Sequence, residues 1–304
     1  MRTQVNVTDL RGTFPSRRRQ SKQNKREARA GLAFVLPAFT MIALFVLLPS
    51  VGAILLSATK WYLVGKPSFV GMQNYNSILI DPAFRQALLV TFQVAIGVAI
   101  PGSLLALIFG LLLIRVGRGV SIYQTIFYLP LVIPSIVSSI IWGAMYVGNG
   151  VINSFFGDNI RWLANPTWAL FAILILMVWT NVGYYTILVY AGLQDLPQEV
   201  LEASSVDGAN YWQRFRYITF PLIRPILLFV IVIATTDALT LFVQPYLLTQ
   251  GGPSGATQTL SLYIYKTAFA FTDIGKASAM AVVLLIVAIS FAIIQFRVLR
   301  SSDD

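Results

Sequence analysis

The sequence predicts an all-α integral membrane protein with six transmembrane helices and both termini on the cytoplasmic side. Three observations predict it: an apolar composition, apolar residues gathered into long charge-free runs, and a one-sided distribution of basic residues. Of 304 residues, 57% are hydrophobic and only 11% charged, with a mean hydropathy of +0.72. A soluble domain carries about a quarter charged residues, so an ordinary soluble enzyme is excluded. There are no cysteines and no histidines. That removes thiol nucleophiles, disulfides, imidazole bases and most transition-metal sites.

Marking every Asp, Glu, Lys and Arg leaves uncharged runs at Ala30–Thr59, Gln86–Ile114, Gly119–Gly157 and Trp162–Gln194. Pro225–Leu248 is interrupted only by Asp237, and Ala277–Phe296 is again free of charge. A helix crosses the hydrocarbon in roughly 20 apolar residues, so six runs are long enough. The third is too long for one helix, and its Gly- and Asn-rich tail, Val147 to Gly157, reads as loop. No run alternates with period two, which leaves a helical bundle as the way to satisfy the backbone in lipid. The first run is about twice a signal-peptide core and is followed by no convincing cleavage site, so it reads as a retained span.

With the N-terminus inside, the inner segments hold 16 of the 22 basic residues. These are Arg2, Arg11, Arg17, Arg18, Arg19, Lys22, Lys25, Arg26 and Arg29, then Arg115 and Arg118, then Arg214, Arg216 and Arg224, then Arg297 and Arg300. Outside lie only Lys60, Lys66, Arg85, Arg161, Lys266 and Lys276. This asymmetry orients the chain. The basic tail has no interleaved aromatics and suits anionic lipid headgroups, so the bilayer and not nucleic acid is the expected contact.

Between the spans, the outer loop from Trp61 to Phe84 mixes aromatics with turn residues, and Asp81-Pro82 reads as the start of a short helix leading into the second span. Pro37, Pro49, Pro101, Pro130 and Pro134 fall in or at the ends of spans and predict kinks. The segment Gly192–Pro221 predicts a helical hairpin. Asp195 caps a first helix with Pro197 in its first turn; Asp195, Glu199 and Glu202 share one face, and Leu196, Val200, Ala203 and Ser204 another. Gly208 ends that helix in the left-handed conformation; Asn210 and Gln213 cap a second one running through Tyr217, and Pro221 closes the unit. Periodicity alone leaves open a solvated amphipathic connector.

The residues within this segment go further. Glu202-Ala203-Ser204-Ser205-Val206-Asp207-Gly208-Ala209, followed by Ile218-Thr219-Phe220-Pro221, resembles the EAA loop of the permease subunits of ABC importers. That pattern is E-A-A, a Gly six positions after the Glu, and I-x-L-P with its Ile ten after the Gly; every spacing holds, with Ser204 and Phe220 as departures. Phe242-Val243-Gln244-Pro245-Tyr246-Leu247-Leu248-Thr249-Gln250-Gly251-Gly252-Pro253 and Phe69-Val70-Gly71-Met72-Gln73-Asn74-Tyr75 resemble stretches of carbohydrate-uptake permeases of the maltose-transporter type. The resemblance covers nearly all of the chain beyond the basic tail.

It implies a type I ABC importer permease fold, divided into a basic cytoplasmic tail (1–29), a first transmembrane helix (30–59), an external loop (60–85), a five-helix domain (86–297) with a coupling loop at 192–222, and a C-terminal tail (298–304). It implies a bacterial or archaeal cytoplasmic membrane, a second homologous permease, two ATPase subunits and an external substrate-binding protein as partners. Glu202 would meet a basic group on the ATPase, Gly208 would supply the turn, and Ala203 and Ser204 would permit close packing; Asp207, Ala209, Ile218 and Pro221 complete the motif. The substrate implied is a sugar or oligosaccharide, with glycerol-3-phosphate or another polyol derivative as the alternative.

The chain carries no nucleotide site of its own. The string nearest a phosphate loop, Asp273-Ile274-Gly275-Lys276-Ala277-Ser278, lacks the first Gly and the hydroxyl beside Lys. No cofactor is therefore expected on this chain, and ATP and magnesium fall to the partner ATPase. Asp237 is the lone formal charge inside a span and lies near the middle of the fifth, where burial costs on the order of 2.5–3.5 kcal/mol. Two readings stand for it: a polar group on a water-filled substrate path, or a structural contact to the second permease or a helix end. Gln244, Asn181 and Tyr184 are further candidates for the path, being of the types that bind sugar hydroxyls. An ion-coupled secondary transporter would want more intramembrane ionisable groups, and an intramembrane enzyme lacks a base or metal cluster here.

Overall fold

The computed structural model describes residues 17–156 and 160–300. Arg2 and Arg11 of the basic tail, and residues 301–304 of the C-terminal tail, lie outside the described residues. The chain divides into two compact units, residues 1–53 and 54–304. In the first, helix α1 (Arg17–Ile42) begins within the stretch expected to be tail and passes through a π turn (Ala43–Leu47) into α2 (Leu48–Ser57). The π turn has a local cause. Leu48 N–H bonds the Ala43 carbonyl, and the next residue, Pro49, has no N–H to continue the usual ladder. Residues Ala30–Ser57 form one candidate span.

The second unit opens with an antiparallel hairpin, β1 (Thr59–Tyr62) and β2 (Val64–Phe69), turning at Leu63 with φ +60°. The sequence shows no alternation here because the hairpin presents no apolar face to a core. Polar anchors hold it instead: Asn74 Nδ2 donates to the Ser57 and Thr59 carbonyls at 2.8 Å each, and the Ser57 and Tyr75 hydroxyls lie 2.7 Å apart. Helix α3 (Gln73–Ile80) follows. Asp81-Pro82 then opens not a short helix but the 35-residue α4 (Pro82–Val116) itself, with the Asp81 carboxylate accepting from Ala83 N–H at 2.9 Å.

Among the described residues, five helices are long and apolar enough to cross a membrane: the first span, α4, α8 (Pro166–Gln194), the continuous stretch Tyr211–Leu239, and Ile274–Arg297 within α14 (Ile274–Arg300). The sixth expected span, the third in order, is broken. Helices α5 (Val120–Val132) and α6 (Ser135–Met145) meet at 92°, so six spans result only when the pair counts as one. Pro134 explains the break, because it forces Ile133 into extended backbone (φ −71°, ψ 124°) where a helical residue would stand. The tail read as loop contains a short helix, α7 (Val151–Phe156). Asn153 organises it, donating to the Gly148 and Ile160 carbonyls at 3.1 and 3.0 Å and accepting from Trp162 Nε1 at 2.9 Å. The fifth run also divides: α11 (Phe220–Leu239) stops, and α12 (Val243–Leu248) resumes after three residues. Helix α13 (Leu260–Tyr265) then leads toward α14.

Helix α4 is the hub, packed against α8 and α11, and α5 packs chiefly on α8. Buried Ala99, Ala106, Tyr185, Val189, Val230 and Ala234 make one continuous core across α4, α8 and α11. Lipid tails are as apolar as Leu, so small residues that let helices approach closely carry much of the packing. Gly183 is the clearest case: a Cβ there would overlap the Phe127 carbonyl of α5. Backbone cannot yield as a side chain can. Gly183→Val is therefore expected to separate α5 from α8 and to cost about 1–3 kcal/mol. Size-exclusion profiles and melting temperature of the detergent-purified chain check this; an unchanged melting temperature would contradict it.

On the side expected to be external, three elements are clamped by one carboxylate. Lys276 Nζ donates to Asp81 Oδ2 at 2.8 Å, and the Tyr263 hydroxyl donates to the same atom at 2.8 Å. Burial pushes the Asp81 carboxyl up, but the hydrogen bonds from Lys276, Tyr263 and the Ala83 N–H together hold it below the ordinary value. A carboxyl lowered in the folded state contributes stability at neutral pH that is lost as pH falls through the lowered value. Asp81→Asn is therefore expected to reduce stability by about 1–3 kcal/mol at pH 7. The gap between variant and parent should close below about pH 4. Thermal unfolding of both chains across this pH range checks it, and a gap that widened in acid would overturn it.

Candidate functional site

Two places concentrate polar groups that the fold itself does not use. The first is the hairpin after α8. Asp195 does not cap its first helix; it closes α8, donating its N–H to the Ala191 carbonyl, and Pro197 stands at the N-cap of α9 (Gln198–Val206). At the other end Gly208 adopts φ +77°, and Ala209 N–H bonds the Ser204 carbonyl at 3.0 Å, wrapping the last turn. Helix α10 (Tyr211–Arg214) starts on a reciprocal capping box, Asn210 N–H to Gln213 Oε1 at 2.8 Å and Gln213 N–H to Asn210 Oδ1 at 2.9 Å.

Pro221 does not close the hairpin. Helix α10 runs through a π turn (Phe215–Thr219) straight into α11, so the hairpin's second arm and the following span are one continuous helix, Tyr211–Leu239. As at Pro49, the π turn falls just before the proline: Phe220 N–H bonds Phe215, and Pro221 has none to give. The arms are tied by Arg214 Nη1 donating to Ser205 Oγ at 2.7 Å. Leu196, Leu201 and Phe215 pack on the main core. The opposite surface is open: Glu202, Ala203, Asp207, Gly208 and Pro221 are exposed, Ala209 and Ile218 half-buried, and Val206 and Trp212 are 88% and 73% exposed. Glu202 has no ion-pair partner among the described residues. Ser204 is buried, and its hydroxyl bonds the Leu201 carbonyl at 2.7 Å, so it substitutes for alanine with its polar group satisfied.

The second place is a cavity of about 410 Å³ where the two broken spans meet α8. Both breaks line it, Ile133-Pro134 of the α5–α6 corner and Thr240–Phe242 between α11 and α12, together with Asn181, Asp237 and Gln244. Three of the four path candidates thus converge. Tyr184 does not: it is half-buried and packs against the α4–α8–α11 core. Asp237 also lies elsewhere than expected, two residues before the end of α11 rather than mid-span, because the helix stops at Leu239. Asn181 spends its N–H on the Met177 carbonyl (2.9 Å), whereas the Asp237 carboxylate and the Gln244 amide have no hydrogen-bond partner among the described residues. Gln244 is only 6% exposed. Irregular backbone inside a membrane protein is tolerated where it lines a cavity, and discontinuous helices are a recurrent way to build a solute site. The sequence holds one local sign of the corner, Pro134; the break after Leu239 has no proline at it and no local sign in the sequence.

Residues 102–302 match the family described as binding-protein-dependent transport system inner membrane component. Over 93% of its length the chain is 33% identical to the trehalose/maltose transport system permease protein MalF of Thermococcus litoralis, covering 98% of that protein. It is 32% identical to the lactose transport system permease protein LacF of Rhizobium radiobacter, with 89% of this chain and 94% of that one aligned. Among solved structures, a chain of a bacterial ABC transporter that imports the acidic polysaccharide alginate superposes with a TM-score of 0.80 at 22% identity, over 93% of this chain and 99% of that chain.

Proposed function

The chain belongs to the family of binding-protein-dependent transport system inner membrane components, and from that premise we propose that it is the permease subunit of an ATP-driven importer of a sugar or oligosaccharide. The cavity between the two broken spans carries this reading. Its unpartnered carboxylate and amide are the groups that bind hydroxyls, and among the described residues no Lys or Arg lines it. A phosphate-bearing solute would want a guanidinium or ammonium there, so a neutral sugar is favoured over glycerol-3-phosphate. Relatives named for trehalose/maltose, lactose and sulfoquinovosyl glycerol support the same class.

In this reading the exposed face of the α9–α10 hairpin, with Glu202, Ala203, Asp207 and Gly208, docks on one of two ATPase subunits, which hold ATP and magnesium. A second homologous permease completes the pathway, and an external substrate-binding protein delivers the solute. The 16 basic residues on one side support a multi-pass chain in a bacterial or archaeal cytoplasmic membrane with both termini inside. The test is uptake of radiolabelled disaccharides by vesicles containing the full transporter. Uptake that requires ATP and the binding protein is expected; uptake driven by an ion gradient without nucleotide would overturn the proposal.

A further inference from the structure

A second cavity, of about 400 Å³, lies under the hairpin and away from the solute cavity. We infer that it is a binding site for the phosphate headgroup of an anionic phospholipid; the inference rests on reading α9–α10 as the membrane-surface hairpin of a permease. Its level in the fold is the first argument. Arg115 is one residue from the end of α4, Leu193 one residue from the end of α8, and Tyr211 opens the stretch Tyr211–Leu239, so three spans terminate around it. That is the level at which headgroups lie.

The lining is the second argument. Arg115 and Arg214 both face the cavity, and among the described residues no carboxylate lines it. Among the described residues neither guanidinium has an ion-pair partner. The Arg115 guanidinium carbon lies over the Tyr211 ring, 4.7 Å from its centroid. That contact holds the guanidinium in place, and no hydrogen bond among the described residues uses its N–H groups. Arg214 is fixed through Nη1 by Ser205. Two oriented guanidiniums without a counter-ion fit a phosphodiester, which accepts in-plane pairs of N–H bonds. Gln198 adds an amide beside them, while Leu111, Ile114 and Leu196 supply apolar wall for the first methylenes of an acyl chain. A soluble phosphate would use the guanidiniums and leave that wall uncovered, so the lipid is the better match. The occupant would bridge the end of α4 to the hairpin and hold the hairpin against the bundle.

The experiment is photolabelling of the assembled transporter in bilayers, with phosphatidylglycerol or phosphatidylcholine bearing a photoactivatable group near the headgroup, followed by peptide mapping. The phosphatidylglycerol probe is expected to label peptides spanning residues 111–118 and 193–201, about tenfold above the phosphatidylcholine probe. The double variant Arg115→Gln/Arg214→Gln should fall to the phosphatidylcholine level. Arg115→Lys/Arg214→Lys should retain part of the labelling, and Arg224→Gln, off the cavity, should retain all of it. Equal labelling by both probes, labelling unchanged in the Gln variant, or no labelling of these peptides in the assembled complex would each overturn the inference. Loss of labelling under excess inorganic phosphate would also overturn it, in favour of a soluble anion. Labelling and uptake are independent readouts. Absent uptake with the expected labelling counts against the transport proposal alone, and normal uptake without labelling counts against the lipid site alone.

Discussion

Glu202→Lys is expected to reduce ATP-driven uptake at least about tenfold while leaving the chain folded in the membrane. Glu202 is exposed and bonds nothing within the described chain, so replacing it removes no intramolecular contact. The effect must come from the proposed ATPase surface, where reversing one member of a partly buried charge pair leaves the other opposed by a like charge. Gly208→Asp should act in the same direction for a different reason. A Cβ at Gly208 meets nothing within 4 Å, and Asp tolerates the left-handed backbone better than most residues. The turn should therefore survive, and the lost uptake should come from a charge intruding on the docking surface. Gly208→Ala, with neither charge nor bulk, should keep most of the activity. Uptake, membrane abundance and ATP hydrolysis measured on the same vesicles check all three. Normal uptake in both charged variants would sink the docking role of this hairpin.

Gln244→Leu and Asp237→Leu are expected to lower sugar uptake by about tenfold or more, with ATP hydrolysis retained. Both groups face the cavity and have no partner in the described chain, so an apolar replacement leaves nothing of the protein unsatisfied. What it leaves unpaired is the solute's hydroxyl, and that loss should appear in transport without a loss of stability. Tyr184→Phe serves as the contrast. Tyr184 lies off the cavity, and uptake should not change. If Tyr184→Phe abolished uptake while Gln244→Leu left it intact, the solute path would have to run elsewhere.

The long helices were legible because lipid imposes a length and forbids charge, and the chain obeys both rules over α4, α8 and α14. The hairpin's turn was legible because only specific residues make it: a left-handed Gly208 and a reciprocal Asn210–Gln213 cap. Local chemistry misled at Asp195 and Pro221. Asp195 follows α8 without a break and closes it through its backbone N–H to the Ala191 carbonyl, a role any residue with an N–H can fill, so its side chain gave no sign of it. Pro221 was expected to end a helix, but a π turn immediately before it absorbs the missing donor. The candidate solute cavity was not legible as a place. Asn181, Asp237 and Gln244 sit on different segments, and only the corner at Pro134 and the stop at Leu239 bring them to one wall. The Asp81 clamp is likewise long-range, since Asp81 and Lys276 are 195 residues apart.

The uninterrupted run from Tyr211 to Leu239 has a mechanical corollary. At 1.5 Å per residue its 29 residues make a strut of about 43 Å, and Asp237 sits almost at the tip opposite Tyr211. Rocked by 10° about its midpoint, such a lever arm swings each tip by about 4 Å, enough to change the width of the cavity beside Asp237. If the hairpin docks on an ATPase as proposed, force applied there would reach the candidate cavity through bone rather than through a chain of joints.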